Sequence, residues 1–177
     1  RVIRDSLNEF TTRDLLDKKY SLLNADLRDL LLLACGTSYH AGLIGKYIIE
    51  ELLGIPVRVE IGSEFNHRSR IIIPNAAIAI TQSGETADVL IPLRKIKQAQ
   101  IRTHVITNVP GSTASRLADS VVYTSAGPEV SVAATKSFIA QLMELYKMAL
   151  SSDLIDAASF DDLIGEMRLL PLKVQQV

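Results

Sequence analysis

The sequence has one cysteine, few aromatic residues and almost no net charge. A single cysteine in 177 residues excludes an intrachain disulfide and is typical of a reducing compartment. Aromatic residues make up 5% of the chain, and the formal net charge is −1, without any block of basic residues. Nucleic acid is therefore not expected as a partner, because binding to phosphate backbones depends on clustered positive charge.

Long apolar runs are also missing. No segment is long enough to cross a membrane, and the residues from Arg1 to Asp5 lack the apolar core of a signal peptide. These features predict a cytoplasmic protein with no membrane partner.

The patterns of metal sites and of two common glycine loops are absent as well. The three histidines are scattered and no cysteine pair is available, so no metal site is predicted. After Gly36 the next glycine is Gly42, which excludes the G-x-G-x-x-G loop of dinucleotide-binding proteins. The pair Gly45-Lys46 has His40 where a P-loop needs its first glycine. No cofactor is expected.

Five short apolar segments, separated by stretches of helical length, predict a parallel sheet with helices on both faces. The first, Leu30–Ala34, is continuously apolar, as expected for a strand buried on both sides. The others are 56–61, 76–80, 102–107 and 120–124. We therefore predict a three-layer αβα sandwich with a five-stranded parallel sheet. Its domain spans residues 30–152, between an N-terminal helical arm at 1–29 and a C-terminal helical segment at 153–177 with a break at 169–171.

The segment from Ile78 to Asp88 combines a buried strand, a loop of small hydroxyl residues around Gly84, and a helix start. A helix start exposes backbone N–H groups without intrahelical partners, and the helix dipole favours an anion there. Glycine lets the backbone approach a ligand closely. The simplest ligand is a phosphate. The alternative is an ordinary strand-to-helix turn in which Ser83 or Thr86 caps the helix.

Similar loops follow other predicted strands. Cys35-Gly36-Thr37-Ser38 comes after the first strand, and the loop after the fifth strand is also rich in small residues. In a parallel sheet these loops lie at the same edge, where ligands bind near the topological switch point. The loops after the first, third and fifth strands are therefore expected to converge on one site.

Four segments, in this order, resemble a sugar isomerase (SIS) domain: 34–39, 81–88, 107–112 and 132–136. More narrowly, they are similar to the first of the two SIS domains in the isomerase half of glucosamine-6-phosphate synthases, the glutamine–fructose-6-phosphate aminotransferases. The resemblance covers about residues 30–150, and the segment 81–88 together with Asn-Val-Pro-Gly-Ser at 108–112 is specific to those enzymes.

The resemblance implies a hexose phosphate as ligand: fructose 6-phosphate, glucose 6-phosphate or glucosamine 6-phosphate. In the family, residues at eight matching positions hold this ligand, with the hydroxyls and N–H groups of the 81–86 loop around the phosphate. These positions are Thr37, Ser38, Thr81, Gln82, Ser83, Thr86, Val132 and Ala133. This chain departs from the family at two positions. Serine is commoner in the family where this chain has Thr81, and serine is usual where it has Ala134.

The family's enzymes make glucosamine 6-phosphate from fructose 6-phosphate and glutamine-derived ammonia. The acid–base groups come from a second SIS domain and a C-terminal tail, and the sequence stops at Val177, where a linker to that domain would lie. The resemblance thus implies no catalytic residue in this chain and no activity of the chain alone. Glu85 is a minor candidate for a general base, although the helix dipole already explains its position. Cys35 is expected to be buried and inert.

Two other functions remain open from the sequence. The same fold serves as a phosphosugar-sensing module in transcription regulators, and it also occurs as a single-domain phosphosugar isomerase. A helix-turn-helix in the full-length sequence would indicate the sensor, whereas a glutaminase and a second SIS domain would indicate the synthase.

The helix predicted at 134–150 carries apolar residues on more than one face. A helix packed on a sheet needs one apolar stripe, so the surplus predicts a second partner. We expect a homodimer, as in the family. The alternative partner is the chain's own C-terminal segment, residues 154–172.

Overall fold

A five-stranded parallel sheet forms the middle layer, in the order β2-β1-β3-β4-β5. The computed structural model describes residues 2–8, 22–24, 26–68, 70, 72–124, 126–129 and 134–176. Its strands are β1 (Leu30–Ala34), β2 (Val57–Ile61), β3 (Ala76–Ile80), β4 (Arg102–Thr107) and β5 (Ser120–Tyr123). Its helices are α1 (Val2–Asn8), α2 (Thr37–Leu53), α3 (Gly62–Asn66), α4 (Ala87–Gln98), α5 (Thr113–Leu117), α6 (Lys136–Leu150) and α7 (Ala157–Gln175).

The side chains of β1 alternate between two apolar layers. Leu30 and Leu32 belong to a cluster with residues of α2 and α6, whereas Leu31 and Leu33 pack with Phe65 of α3 and with α4 on the other face. All five β1 residues are buried. Because neither face of the strand meets water, its sequence is apolar throughout rather than alternating. The predicted αβα sandwich with a five-stranded parallel sheet is confirmed.

The strand bounds agree closely with the sequence prediction. β1, β3 and β4 have the predicted limits, and β2 and β5 are each one residue shorter. The N-terminal helix is seen as α1, and the remainder of the arm up to residue 21 lies outside the described residues. In the part of the chain that the structure describes, no helix combines the length and the apolar character that a membrane span requires.

Helix α1 packs against both α6 and α7, and α6 and α7 share one apolar core cluster. Ile3 of α1 and Leu163 of α7 lie against the core cluster that contains Met143 of α6. The chain's own C-terminal segment therefore covers part of the surplus apolar surface of α6, which is the alternative considered above. The apolar surplus alone consequently gives no basis for a second copy.

The predicted break at 169–171 is wrong, because α7 continues through Pro171 to Gln175. Proline has no backbone N–H and therefore removes one hydrogen bond of the helix. The helix tolerates this loss because the turn is exposed and lies close to the helix end. At the other end, Asp156 caps α7 by accepting a 2.9 Å hydrogen bond from the Ser159 N–H.

Candidate functional site

The candidate site lies between the carboxyl ends of β1 and β3. These neighbours are in register from Leu30 opposite Ala76 to Ala34 opposite Ile80, so the loops that follow them start side by side. From this pair the chain winds outward in both directions, through α2 to β2 and through α4 to β4. This is the topological switch point, where ligands bind in doubly wound sheets.

A cavity of about 370 Å³ occupies this position. Six of the eight predicted binding residues line it: Thr37, Ser38, Thr81, Gln82, Ser83 and Thr86. The other two, Val132 and Ala133, lie outside the described residues. The described part of the loop after β5, residues 124 and 126–129, does not contribute to the lining.

Two helices begin at the cavity without a side-chain cap. The N-cap of α2 is Gly36, which has a positive φ of 59°, and the N-cap of α4 is Thr86. The first N–H groups of such helices lack intrahelical partners and carry the positive end of the dipole. The Thr86 hydroxyl makes no capping bond and lies 3.5 Å from Thr81 Oγ1 instead. An ordinary capped turn therefore does not describe this loop.

Three hydroxyls of the site each accept one hydrogen bond from a protein group. Thr81 Oγ1 accepts from the Gly84 N–H at 3.2 Å, and Ser83 Oγ accepts from the Glu85 N–H at 3.2 Å. Ser38 Oγ accepts from the side-chain amide of Gln141 at 3.0 Å. A hydroxyl that accepts such a bond keeps its own hydrogen for another acceptor. Together with the two helix starts, this arrangement suits an anion with several oxygens.

The turn after β4 supports the loop that follows β3. The Asn108 N–H and the Thr107 hydroxyl both donate to the Gln82 carbonyl, at 3.0 and 3.3 Å. The Ala114 N–H donates to the Gly84 carbonyl at 3.0 Å. The sequence resemblance included the segment 107–112 without giving it a role. In the structure it holds the 81–86 loop in shape and does not line the cavity.

The carboxylates of Glu85 and Glu129 are both engaged at helix starts. Glu85 Oε1 accepts from the Thr113 N–H at 2.7 Å, and this bond lowers the pKa of Glu85. Glu129 Oε2 accepts from the Ser137 N–H at 2.9 Å, which lowers the pKa of Glu129. A general base that works near neutral pH needs a raised pKa. Neither carboxylate lines the cavity.

One residue corrects an expectation, and two others make contacts that the sequence did not indicate. Cys35 was expected to be buried and inert, but it follows β1, is half-buried and lines the cavity. The expectation of burial is wrong because the first residue after the strand faces the cavity at the sheet edge. Lys136 is exposed and donates from Nζ to the Pro128 carbonyl at 2.7 Å. Gln141 was missed by sequence analysis, since nothing near it in the sequence indicates a contact 103 positions away.

The fold and the cavity together define a doubly wound α/β domain with a hydroxyl-lined site at its switch point. The sequence profile of the SIS domain family matches residues 24–151, and the chain belongs to this family.

Three similar proteins illustrate the relationship. The glutamine–fructose-6-phosphate aminotransferase (isomerizing) of Caldanaerobacter subterraneus is 41% identical over 99% of this chain and 28% of the relative. The C-terminal domain of glucosamine-fructose-6-phosphate aminotransferase from Francisella tularensis has a TM-score of 0.85 and is 32% identical over 94% of this chain and 50% of that one. An Escherichia coli protein, solved as a complex with a ligand, has a TM-score of 0.69 and covers 90% of both chains. At 17% identity it shows the fold alone. The chain spans about a quarter of the length of the curated relative.

Proposed function

We propose that this chain binds a hexose 6-phosphate as the first SIS domain in the isomerase half of a glucosamine-6-phosphate synthase. The ligands would be fructose 6-phosphate, glucose 6-phosphate or glucosamine 6-phosphate. The observation that carries the proposal is the cavity at the switch point, where two uncapped helix starts meet the hydroxyls of Ser38, Thr81 and Ser83. A phosphate dianion is the chemical group for which such donors are suited.

The relatives support the choice of enzyme. The Caldanaerobacter relative carries the name of this aminotransferase at 41% identity, and the Francisella structure belongs to the same kind of enzyme. Since the chain spans only part of these proteins, the reaction of the whole enzyme is part of the proposal. Within it, residues 30–152 form the SIS domain, and the cytoplasm is the proposed location.

The site is suited to holding the sugar phosphate rather than to moving protons. Hydroxyls and backbone N–H groups bind oxygen atoms, whereas isomerisation moves a proton between neighbouring carbons and needs an acid and a base. Glu85 and Glu129 bond instead to the N–H groups of Thr113 and Ser137. We therefore assign phosphate binding to this chain and proton transfer to groups elsewhere in the enzyme.

Isothermal titration calorimetry tests the proposal. Fructose 6-phosphate is expected to bind, and unphosphorylated fructose is expected to bind at least a hundredfold more weakly, because a charge-assisted hydrogen bond contributes roughly 1.5–3 kcal/mol and several are lost at once. Inorganic phosphate serves as the control for the phosphate subsite alone. Equal affinities for fructose and fructose 6-phosphate would contradict the proposal.

We also propose that the chain forms a homodimer. Several large apolar side chains remain exposed, among them Tyr47 at 71%, Ile72 at 64% and Ile73 at 68%. The Ile72 carbonyl accepts a 3.0 Å hydrogen bond from Arg58 of β2, so this part of the surface lies beside an edge strand of the sheet. Exposed apolar surface at a sheet edge is a common site of association.

A further inference from the structure

The side chain of Gln141 reaches from α6 to the start of α2. Its Nε2 group donates to Ser38 Oγ at 3.0 Å, across 103 positions of sequence. Both residues are buried, with 2% exposure for Gln141 and 7% for Ser38. Ser38 lines the cavity, and Gln141 stands behind it.

The direction of this bond determines what Ser38 can do. A serine in the first turn of a helix can turn its hydroxyl toward nearby backbone groups. When the amide N–H of Gln141 donates to Oγ, the oxygen is used as an acceptor and the hydroxyl hydrogen is left for another group. Backbone N–H groups perform the same task for Thr81 and Ser83. Of these three hydroxyls, Ser38 is the one that accepts from a side-chain amide.

We propose that Gln141 is a positioning residue, which holds Ser38 as a hydrogen-bond donor toward the bound sugar phosphate. This inference rests on the proposed function of the site. The effect of Gln141 on the ligand passes entirely through Ser38, since Gln141 itself does not line the cavity.

A role in packing alone does not account for a glutamine here. Gln141 Oε1 is buried and has no hydrogen-bond partner among the described residues. An unpaired buried amide oxygen is unfavourable, and an apolar side chain of similar volume would avoid that cost. Helices α2 and α6 also make close apolar contact elsewhere, since a Cβ on Gly45 of α2 would lie 2.7 Å from Leu145 Cδ1. The amide is therefore better explained by the bond that it makes to Ser38.

A double-mutant cycle tests the inference. Calorimetry with fructose 6-phosphate would compare the wild type, Gln141→Met, Ser38→Ala and the double variant, with circular dichroism to check each fold. Gln141→Met is expected to weaken binding about tenfold, the typical effect of one hydrogen bond. In the Ser38→Ala background the same change is expected to leave the affinity unchanged.

The possible outcomes separate the inference from the function on which it rests. If Gln141→Met weakens binding equally in both backgrounds, Gln141 acts through general packing and the inference is wrong. If Gln141→Met binds like the wild type, the inference is wrong and the proposed function stands. A wild type without affinity for fructose 6-phosphate overturns both.

A second variant covers a failure of Gln141→Met to fold. Gln141→Glu keeps the shape of the side chain but accepts the Ser38 hydrogen when it is ionised. It is expected to weaken binding of fructose 6-phosphate by at least as much. An unchanged affinity in this variant would overturn the inference.

Discussion

Gly84 lies directly against Ser112, so that a Cβ on Gly84 would be 2.1 Å from Ser112 Oγ and 2.5 Å from its Cβ. Gly84 also has a φ of 69°, in the left-handed region that favours glycine. The position therefore excludes a side chain for two independent reasons. Through this contact the turn after β4 fixes the path of the loop that lines the cavity.

Gly84→Ala is expected to destabilise the protein by roughly 2–5 kcal/mol, from about 1–2 for the backbone conformation and about 1–3 for overpacking. Urea denaturation measures the change. Gly111→Ala is the matched control, because Gly111 has a φ of 72° but no heavy atom within 4 Å of a Cβ. The Gly111→Ala variant should lose only the part of the stability that comes from the backbone conformation. Equal losses of stability in the two variants would show that overpacking against Ser112 does not contribute to the destabilisation.

The layers of the fold could be predicted from local sequence because burial on both faces makes a parallel strand apolar throughout. β1 and β3 are such strands, and both have their predicted limits. The six predicted binding residues that line the cavity followed from the family resemblance. They lie in two loops that the register of β1 and β3 brings together.

Contacts between distant segments could not be predicted in the same way. Helical periodicity shows that α6 has surplus apolar surface, but not that α1 and α7 cover part of it. The bond from Gln141 to Ser38 depends on how α2 packs against α6, for which no local pattern exists. Pro171 indicates a break by propensity, yet one missing donor does not end an exposed helix.

Replacing hydroxyls of the 81–86 loop is expected to weaken the binding of fructose 6-phosphate. Ser83→Ala and Thr86→Ala each remove one donor to a charged group, which costs about 1.5–3 kcal/mol, or roughly ten- to 150-fold in affinity. Calorimetry measures each variant. Ser63→Ala, on α3 and outside the cavity lining, is the control and should bind like the wild type. Unchanged affinity in both loop variants would contradict the phosphate assignment.

The chain alone is expected not to isomerise fructose 6-phosphate or form glucosamine 6-phosphate. Glu85 and Glu129 accept hydrogen bonds from N–H groups at helix starts, and among the described residues no carboxylate lines the cavity. A coupled enzymatic assay over hours at high protein concentration measures this. Turnover that disappears in Glu85→Gln would contradict the expectation and would favour a single-domain isomerase.

The contribution of Glu85 to stability is expected to depend on pH. The hydrogen bond from the Thr113 N–H lowers the pKa of Glu85 in the folded state. A group with a lowered folded pKa stabilises the fold above its unfolded pKa, about 4.3 for glutamate, and loses this effect as the pH falls through the folded value. Wild type should therefore melt at a higher temperature than Glu85→Gln at neutral pH.

Melting curves of both proteins at several pH values test this expectation. The difference in melting temperature should be constant from about pH 6 to 9 and shrink as the pH falls below about 4.3. A difference that grows in acid would mean that the Glu85 carboxylate is destabilised in the fold, contrary to the lowered pKa.

We expect Ile72 and Ile73 to contribute to the interface of the proposed homodimer. Both are largely exposed beside the edge strand β2, and burial of each isoleucine in an interface would contribute about 1.5–3 kcal/mol. Sedimentation equilibrium at micromolar concentration is expected to show a dimer for the wild type and a monomer for a variant with both Ile72→Lys and Ile73→Lys. Leu154→Lys, at a residue 41% exposed in the turn between α6 and α7, is the control and should remain dimeric. A monomeric wild type would show that the dimer proposal is wrong.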